Sequence, residues 1–357
     1  MRHVFLAGAL AQEAVLHEVL GADARAVRVP ARLEGAALWQ ERGAMGGFPR
    51  LYPAEGARCE GWLLSLGHDE GDETGADYAR LFDRLAYLAE VFGMVPVPKH
   101  VTQGEITVAA LTFLATGTPD AGARHVEAFD PTDWQRKWAA IARHASREIL
   151  GYRDRLEAAA LDWRMGMILT RAAARARAEA EPAPATLRSV SPSSAVELAR
   201  SSTPHAGFFL TNRHWLTPPR FDGSKGEALR REVFVAADAA LVLPYDPASD
   251  RVLLVEQFRM GPFGRGDPLP FVLEPVAGHV DAGETPEEAA HRETGEEAGI
   301  SLRALEHISS HYCSPGCSTE MFHCYLGLAD LPETGQGAGG LASENEDIRT
   351  HVIAFEH

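Results

Sequence analysis

Cysteine is scarce: Cys59, Cys313, Cys317 and Cys324 are the whole supply in 357 residues. So few thiols, three of them crowded towards one end, do not make a disulfide framework for a chain of this size, and a reducing cytoplasm is the expected setting. Cys313 and Cys317 could form a metal or redox couple, but no matching set of His and Cys surrounds them, so they read as loop cysteines. Long apolar runs are missing too. None reaches the ~18 residues a membrane span needs, and the opening MRHVFLAGALAQEAVL is short, broken by Glu13 and lacks a cleavage pattern, so neither a spanning helix nor a secretory leader is expected. Positive charge is the third shortage, with 34 Lys and Arg against 50 Asp and Glu. A chain at −16 has no general attraction for phosphate backbones or anionic lipid, which argues against nucleic-acid and membrane partners. Any phosphate it binds must be held locally, by a metal or by a few arginines.

What the chain does have is length, apolar content and acid. Its 357 residues predict two domains, and 45% hydrophobic content is ample for packed cores. The most organised stretch runs from Gly278 to Ile300, GHVDAGETPEEAAHRETGEEAGI. Thr285 can cap a helix there, Pro286 suits its first turn, Glu288 completes a reciprocal capping box, and Gly299 can stop it in a left-handed conformation. Gly295 weakens it by about 1 kcal/mol relative to alanine. Glu293, Glu296 and Glu297 are three or four apart and project from one face. Acidic helices are ordinarily solvated surface. Three like charges on one face repel unless a cation joins them, and hard oxygen ligands of this kind suit Mg2+ or Mn2+.

The order Gly278, Glu284, Arg292-Glu293, Glu296-Glu297, Gly299 and Ile300 resembles the Nudix box of nucleoside-diphosphate-X hydrolases. The one departure is Thr294, where that family prefers a bulky aliphatic. Around the box stand Gly207-Phe208-Phe209, the strand-like RREVFVAADAALVLPYDP and RVLLVEQFRMGPF, Glu274 to Gly278, Ser314-Pro315-Gly316 and Glu344 to Arg349. Pro315 lies sixteen residues beyond Gly299, a spacing characteristic of the ADP-ribose pyrophosphatase branch, and the resemblance narrows to that branch over residues 205–357.

The resemblance implies an α/β/α sandwich with a mixed sheet and hydrolysis of the ADP-ribose pyrophosphate to AMP and ribose 5-phosphate, with Mg2+ or Mn2+ as cofactor. Glu293 and Glu297 would hold the metal, with Glu296, Glu346 and the Ala277 carbonyl as further ligands. A helix supplies only one wall of such a site, and the Gly-rich acidic loop carrying Glu344 and Glu346 offers the other; Glu344 would take the proton from water. Phe208 and Arg231 would hold the adenine, Glu232 would help orient it, Arg259 and Ser314 would contact phosphate or terminal ribose, and Arg292 would orient Glu293. The same metal helix could serve another nucleoside diphosphate derivative, such as a UDP- or GDP-sugar or NADH. The branch also implies a homodimer that exchanges the strands before the box, and a further helix beyond His357.

Residues 1–118 read as an α/β domain with strands at Val4 to Leu6, Gly61 to Leu66 and Ile106 to Leu114 and helices at Gln12 to Leu20 and Asp77 to Phe92. Their pattern resembles the γ-glutamylcyclotransferase-like fold. Ala7-Gly8-Ala9-Leu10 stands at that family's Tyr-Gly-Thr-Leu substrate loop, and Ala89 stands where its catalytic glutamate would be. Alanine cannot move a proton, and Glu90 points about 100° away on a helix, so the resemblance implies an inactive domain and argues against a bifunctional enzyme. Residues 119–204 read as a helical connector and linker. Trp134, Trp138, Ile141 and Ile149 are expected to pack inward, with the arginines on a solvated face in preference to an RNA-binding one, and Glu181 to Thr203 forms the linker. Taken together, the two halves look like a tellurite-resistance-type Nudix protein.

Overall fold

The computed structural model describes residues 3–21, 26–41, 47–66, 74–116, 126–180, 187, 191–334, 338–341 and 346–356. The chain divides into two compact units, Met1–Pro182 and Ala183–His357. No described helix is long and apolar enough to cross a membrane, and all four cysteines are free.

The first unit is built on β1 (His3–Leu6), α1 (Glu13–Leu20), β2 (Ala26–Glu41), β3 (Arg50–Leu66), α2 (Thr74–Val91), β4 (Met94–Gln103), β5 (Ile106–Ala115) and β6 (Val126–Ala128). The strands run in the order β3-β1-β5-β4-β2, and β2 pairs back onto β3, so the sheet closes into a ring with β6 on the end of β2. Phe5, Leu33, Leu63, Val101 and Leu114 fill its core. β2 and β3 are long enough to serve two neighbours because they bend. The register shifts between Glu34 and Ala36, where Gly35 takes a positive φ of 75°. β4 carries Pro96 and Pro98, which cannot donate to a ladder on both sides; it meets β2 only at Thr102, beyond both prolines. Sequence periodicity finds β1, β5, α1, α2 and the end of β3. It misses β2 and β4, whose prolines and glycine imitate turns.

The helices of the expected connector are integral to this unit. α3 (Pro131–Lys137), α4 (Ala139–Leu150) and α5 (Met165–Ala180) bury Trp134, Trp138, Ile141 and Ile149, as their spacing predicts. Trp134 donates its indole N–H to the Gly47 carbonyl at 3.0 Å, Arg147 pairs with Glu18 at 2.6 Å, and Arg153 pairs with Asp83 at 2.6 Å. Arg171 is buried against Glu148 at 2.6 Å, and the same carboxylate accepts from the Tyr152 hydroxyl at 3.0 Å. Arginines read as a solvated face are thus partly structural. Composition marks where a segment changes character, not which surface its apolar stripe finds.

The second unit begins with a meander of β7 (Glu197–Ala206), β8 (Leu210–Thr217) and β9 (Leu229–Val235). β7 lies partly inside the expected linker; the hydrogen bonds that order it come from β8, which local composition cannot reveal. β10 (Ala239–Asp246), β11 (Arg251–Phe258), α6 (Met260–Arg265), β12 (Phe271–Glu274), β13 (Val276–His279), α7 (Pro286–Ala298), β14 (Ala304–Tyr312), β15 (Met321–Leu328), β16 (Ala338–Gly339) and β17 (Ile348–Ala354) complete it. The main sheet runs β14-β15-β10-β11-β17-β16, with β13 on β10 and β12 on β11. It is mixed, as expected, because β10 and β15 are parallel while the other pairs are antiparallel.

α7 has the termini its sequence predicts. Thr285 Oγ1 accepts from Glu288 N at 3.2 Å, Thr285 N donates to Glu288 Oε2 at 2.8 Å, and Gly299 adopts φ 67° at the other end. Ala289, Ala290 and Ala298 join a core with Val242, Leu253, Val255, Val276, Tyr325 and Ile348. Thr294 is fully buried, and its hydroxyl is satisfied by the Ala290 carbonyl at 2.7 Å, so this position accepts a polar side chain without an orphaned donor. A methyl group on Gly295 would meet open space. Gly295→Ala should therefore stabilise the second unit by about 0.5 to 1 kcal/mol, read as a higher urea midpoint at unchanged slope; a lower midpoint would contradict this account of the helix.

Candidate active site

The α7 carboxylates lie against β13 because both elements are small there. A Cβ on Gly278 would overlap the Glu293 carboxyl, so glycine leaves the space that the side chain fills. Glu297 is only 2% exposed. Its Oε2 accepts the Ala277 backbone N–H at 3.1 Å, and its Oε1 accepts from Gln257 Nε2 at 3.4 Å. Arg292 gathers the rest of the face. It reaches Glu284 at 2.7 Å, Glu293 at 2.8 Å, Glu296 at 2.9 Å and the His279 carbonyl at 3.0 Å. It contacts Glu293, the residue the resemblance has it orient, and two further carboxylates.

Burial pushes both Glu293 and Glu297 up to about 7. Opposing this, Arg292 favours the ionised form of Glu293, and the Ala277 N–H and Arg259 favour that of Glu297. Repulsion from Glu296 and Glu346 at Glu293, and from Glu293 and Glu346 at Glu297, adds to burial. Glu346 is thus near enough to be felt by both, and its Oε2 accepts the Leu341 N–H at 3.1 Å. Gly339 and Gly340 lie against the end of α7: Gly340 N donates to the Glu296 carbonyl at 3.2 Å, and a Cβ on Gly339 would overlap the Glu297 carbonyl. Glu344 lies outside the described residues.

Among the described residues no group of three acidic, histidine or cysteine side chains is already arranged to hold a metal ion. The donor chemistry nonetheless fits a hard divalent cation. The available groups are carboxylate oxygens that repel one another, and Glu297 is held through neutral N–H donors that leave its charge intact.

The remaining predicted residues occupy other parts of the unit. Arg259 precedes the first turn of α6 and binds Glu274 at 2.7 Å, close enough to favour ionised Glu297. Ser314 is exposed between β14 and β15, with its hydroxyl 3.2 Å from Cys317 Sγ. Cys313 donates to Glu320 at 2.9 Å, so both loop thiols are engaged locally. Phe208, Arg231 and Glu232 sit on the β7-β8-β9 meander. Phe208 stacks edge-on against Phe209 at 5.0 Å, and Phe209 lies 5.0 Å from Phe234. Arg231 donates to the Arg230 carbonyl, and Glu232 pairs with Arg213 at 2.7 Å. The meander is tied to the Ser314 loop by Phe234 N to Cys317 O at 2.8 Å and Thr319 N to Phe234 O at 3.0 Å.

The geometry therefore collects Ala277, Arg259, Glu293, Glu296, Glu297 and Glu346, and leaves the aromatic and meander residues on an adjoining surface. Sequence reasoning passes over Gln257. The signal was available: along RVLLVEQF the inward positions are Leu253, Val255 and Gln257, so period-two alternation puts a polar amide on the core face.

The NUDIX domain family model matches residues 235–355. The ADP-ribose pyrophosphatase of Escherichia coli (strain K12) is 38% identical over 161 residues, covering 45% of this chain and 76% of that protein. That of Haemophilus influenzae is 39% identical over 163 residues, 45% of this chain and 75% of the relative. A GDP-mannose pyrophosphatase of Cronobacter sakazakii is 31% identical over 162 residues, 45% of this chain and 82% of the relative.

Proposed function

Since the chain belongs to the Nudix family of hydrolases, we propose that it splits the pyrophosphate bond of ADP-ribose to AMP and ribose 5-phosphate with a divalent metal, Mg2+ or Mn2+. The observation that carries this reading is the buried Glu297, held by backbone and amide donors beside Glu293 on one face of α7. Similarity to the two ADP-ribose pyrophosphatases supports ADP-ribose as the substrate.

Glu293 and Glu297 hold the metal, with Glu296, Glu346 and the Ala277 carbonyl as the further donors. When bound, such an ion neutralises the diphosphate and lowers the pKa of the attacking water. Glu344 takes that water's proton. Arg259 and Ser314 contact phosphate or terminal ribose, Phe208 and Arg231 hold the adenine, and Glu232 orients it. Arg292 touches no substrate; it keeps Glu293 and Glu296 in place against their mutual repulsion.

The test is AMP release with Mg2+ from a panel containing ADP-ribose, GDP-mannose, a UDP-sugar and NADH, with ADP-ribose expected to turn over best. Glu297→Gln should lower turnover by orders of magnitude at saturating Mg2+. Glu344→Gln should lower it by about 10²- to 10⁴-fold with little change in the Michaelis constant. Near-normal activity of Glu297→Gln sinks the metal assignment, whereas a change confined to the Michaelis constant moves Glu344 to substrate binding.

We also propose that the second unit pairs with a second copy. Its meander has a single buried residue, Leu210, across three strands, too little to hold such a sheet alone. Phe258, Met260, Phe263, Phe271 and Leu273 are exposed together around β11, α6 and β12. Sedimentation equilibrium should give twice 38.6 kDa; a monomer at micromolar concentration would refute the pairing.

For the first unit we propose a catalytically silent relative of the γ-glutamylcyclotransferases, in a chain of the tellurite-resistance type. Ala89 is fully buried in α2 and carries no proton-transfer group. The intact chain should release no 5-oxoproline from γ-glutamyl amino acids; release at an enzymatic rate, abolished by Glu90→Gln, would overturn this.

A further inference from the structure

Gln257 is the one buried amide that reaches the α7 carboxylates among the described residues. It lies near the end of β11, opposite Val272 of β12, and its side chain points to the core face with Leu253 and Val255. Its neighbours face the other way: Glu256 accepts from His351 at 2.8 Å, and Phe258 is exposed. At 6% exposure Gln257 is a core residue, yet nothing in packing alone calls for an amide among valines and leucines. The Nε2 group lies 3.4 Å from Glu297 Oε1, while the Ala277 N–H lies 3.1 Å from Glu297 Oε2. The two donors approach different oxygens of one carboxylate, from a strand and from the backbone of its neighbouring segment.

Resting on the metal-dependent reading above, we propose that Gln257 is a positioning residue that fixes the orientation of Glu297 for the divalent ion. A carboxylate on a long side chain held at one oxygen can still swing about that contact; a second donor at the other oxygen sets its plane. The amide suits this task for two reasons. It is neutral, so it orients Glu297 without cancelling the charge a cation needs, as an arginine or lysine there would. It also presents its NH2 end as a donor, which an ionised carboxylate can always accept and a cation cannot replace. Each Glu297 oxygen keeps acceptor capacity beyond the one bond it makes to the protein. Outer contacts of this kind commonly change metal affinity or activity by about 10- to 100-fold when removed.

The experiment uses the full chain and Mn2+ as the probe. Free Mn2+ is followed by paramagnetic resonance during titration of the unaltered protein, of Gln257→Met, which keeps length and removes the donor, and of Gln257→Asn, which keeps the amide and draws it back by one methylene. Circular dichroism checks the fold of each, and the Asn variant carries the test if the Met variant does not fold. Both variants should bind Mn2+ about 10-fold or more weakly and lose turnover by a similar factor, with the Michaelis constant for ADP-ribose within about 2-fold. Equal Mn2+ affinity in variant and unaltered chains, or a change confined to the Michaelis constant, overturns the role of Gln257. Absence of Mn2+ binding in the unaltered chain strikes instead at the metal-dependent reading itself.

Discussion

The close approach of α7 to β13 is the constraint on which the second unit turns. Gly278 has no side chain because the Glu293 carboxyl occupies that space. Alanines on the inner face of α7 let the helix lie low on the sheet, at the cost of burying less apolar area than leucines would. The helix is held by other means as well: a capping box at one end, a left-handed glycine and the Gly339-Gly340 loop at the other, and Arg292 across its polar face. Only with that spacing does the Ala277 N–H fall within reach of Glu297.

The same spacing creates an electrostatic problem that the fold leaves partly unsolved. Carboxylates taken out of water favour their neutral form, and burial here outweighs the help each receives from Arg292, Arg259 and Ala277. A core optimised for stability alone would not place two glutamates there. Groups perturbed in this way cluster where proteins do chemistry, because a ligand of opposite charge then finds an environment already short of positive charge.

Much of this could be read from the chain. The termini of α7 and the shared face of its three carboxylates follow from short-range chemistry that acts within a few residues, such as a cap or a helical repeat, whereas the mixed sheet came only as an implication of the family resemblance. The partners of Glu297 were harder. Gln257 is 40 residues away and Ala277 is 20, and their meeting depends on which strands pair. The place of the connector helices is hidden for the same reason: Trp134, buried in the first unit, donates to a carbonyl 87 residues away at position 47. β2 and β4 were hidden by prolines and a glycine, which signal turns locally but are accommodated by a bulge and by an incompletely paired strand.

The parallel pairing of β10 with β15 bears on how the second unit comes to be folded. β10 and β13 can meet early, but the partner on the other side of β10 lies about 80 residues along the chain, and such distant contacts are reached slowly. α7 is made of residues in that interval. During synthesis its capped helix can form before β15 has emerged, while the core that buries Ala289, Ala290 and Ala298 is still open on the side of Tyr325. At that stage the acidic face has its partners from β11 and β13 but still lacks Gly339, Gly340 and Glu346, which join it with the last strands. The step that completes the sheet with β17 is therefore also the step that brings Glu346 towards Glu293 and Glu297 and adds its repulsion to theirs.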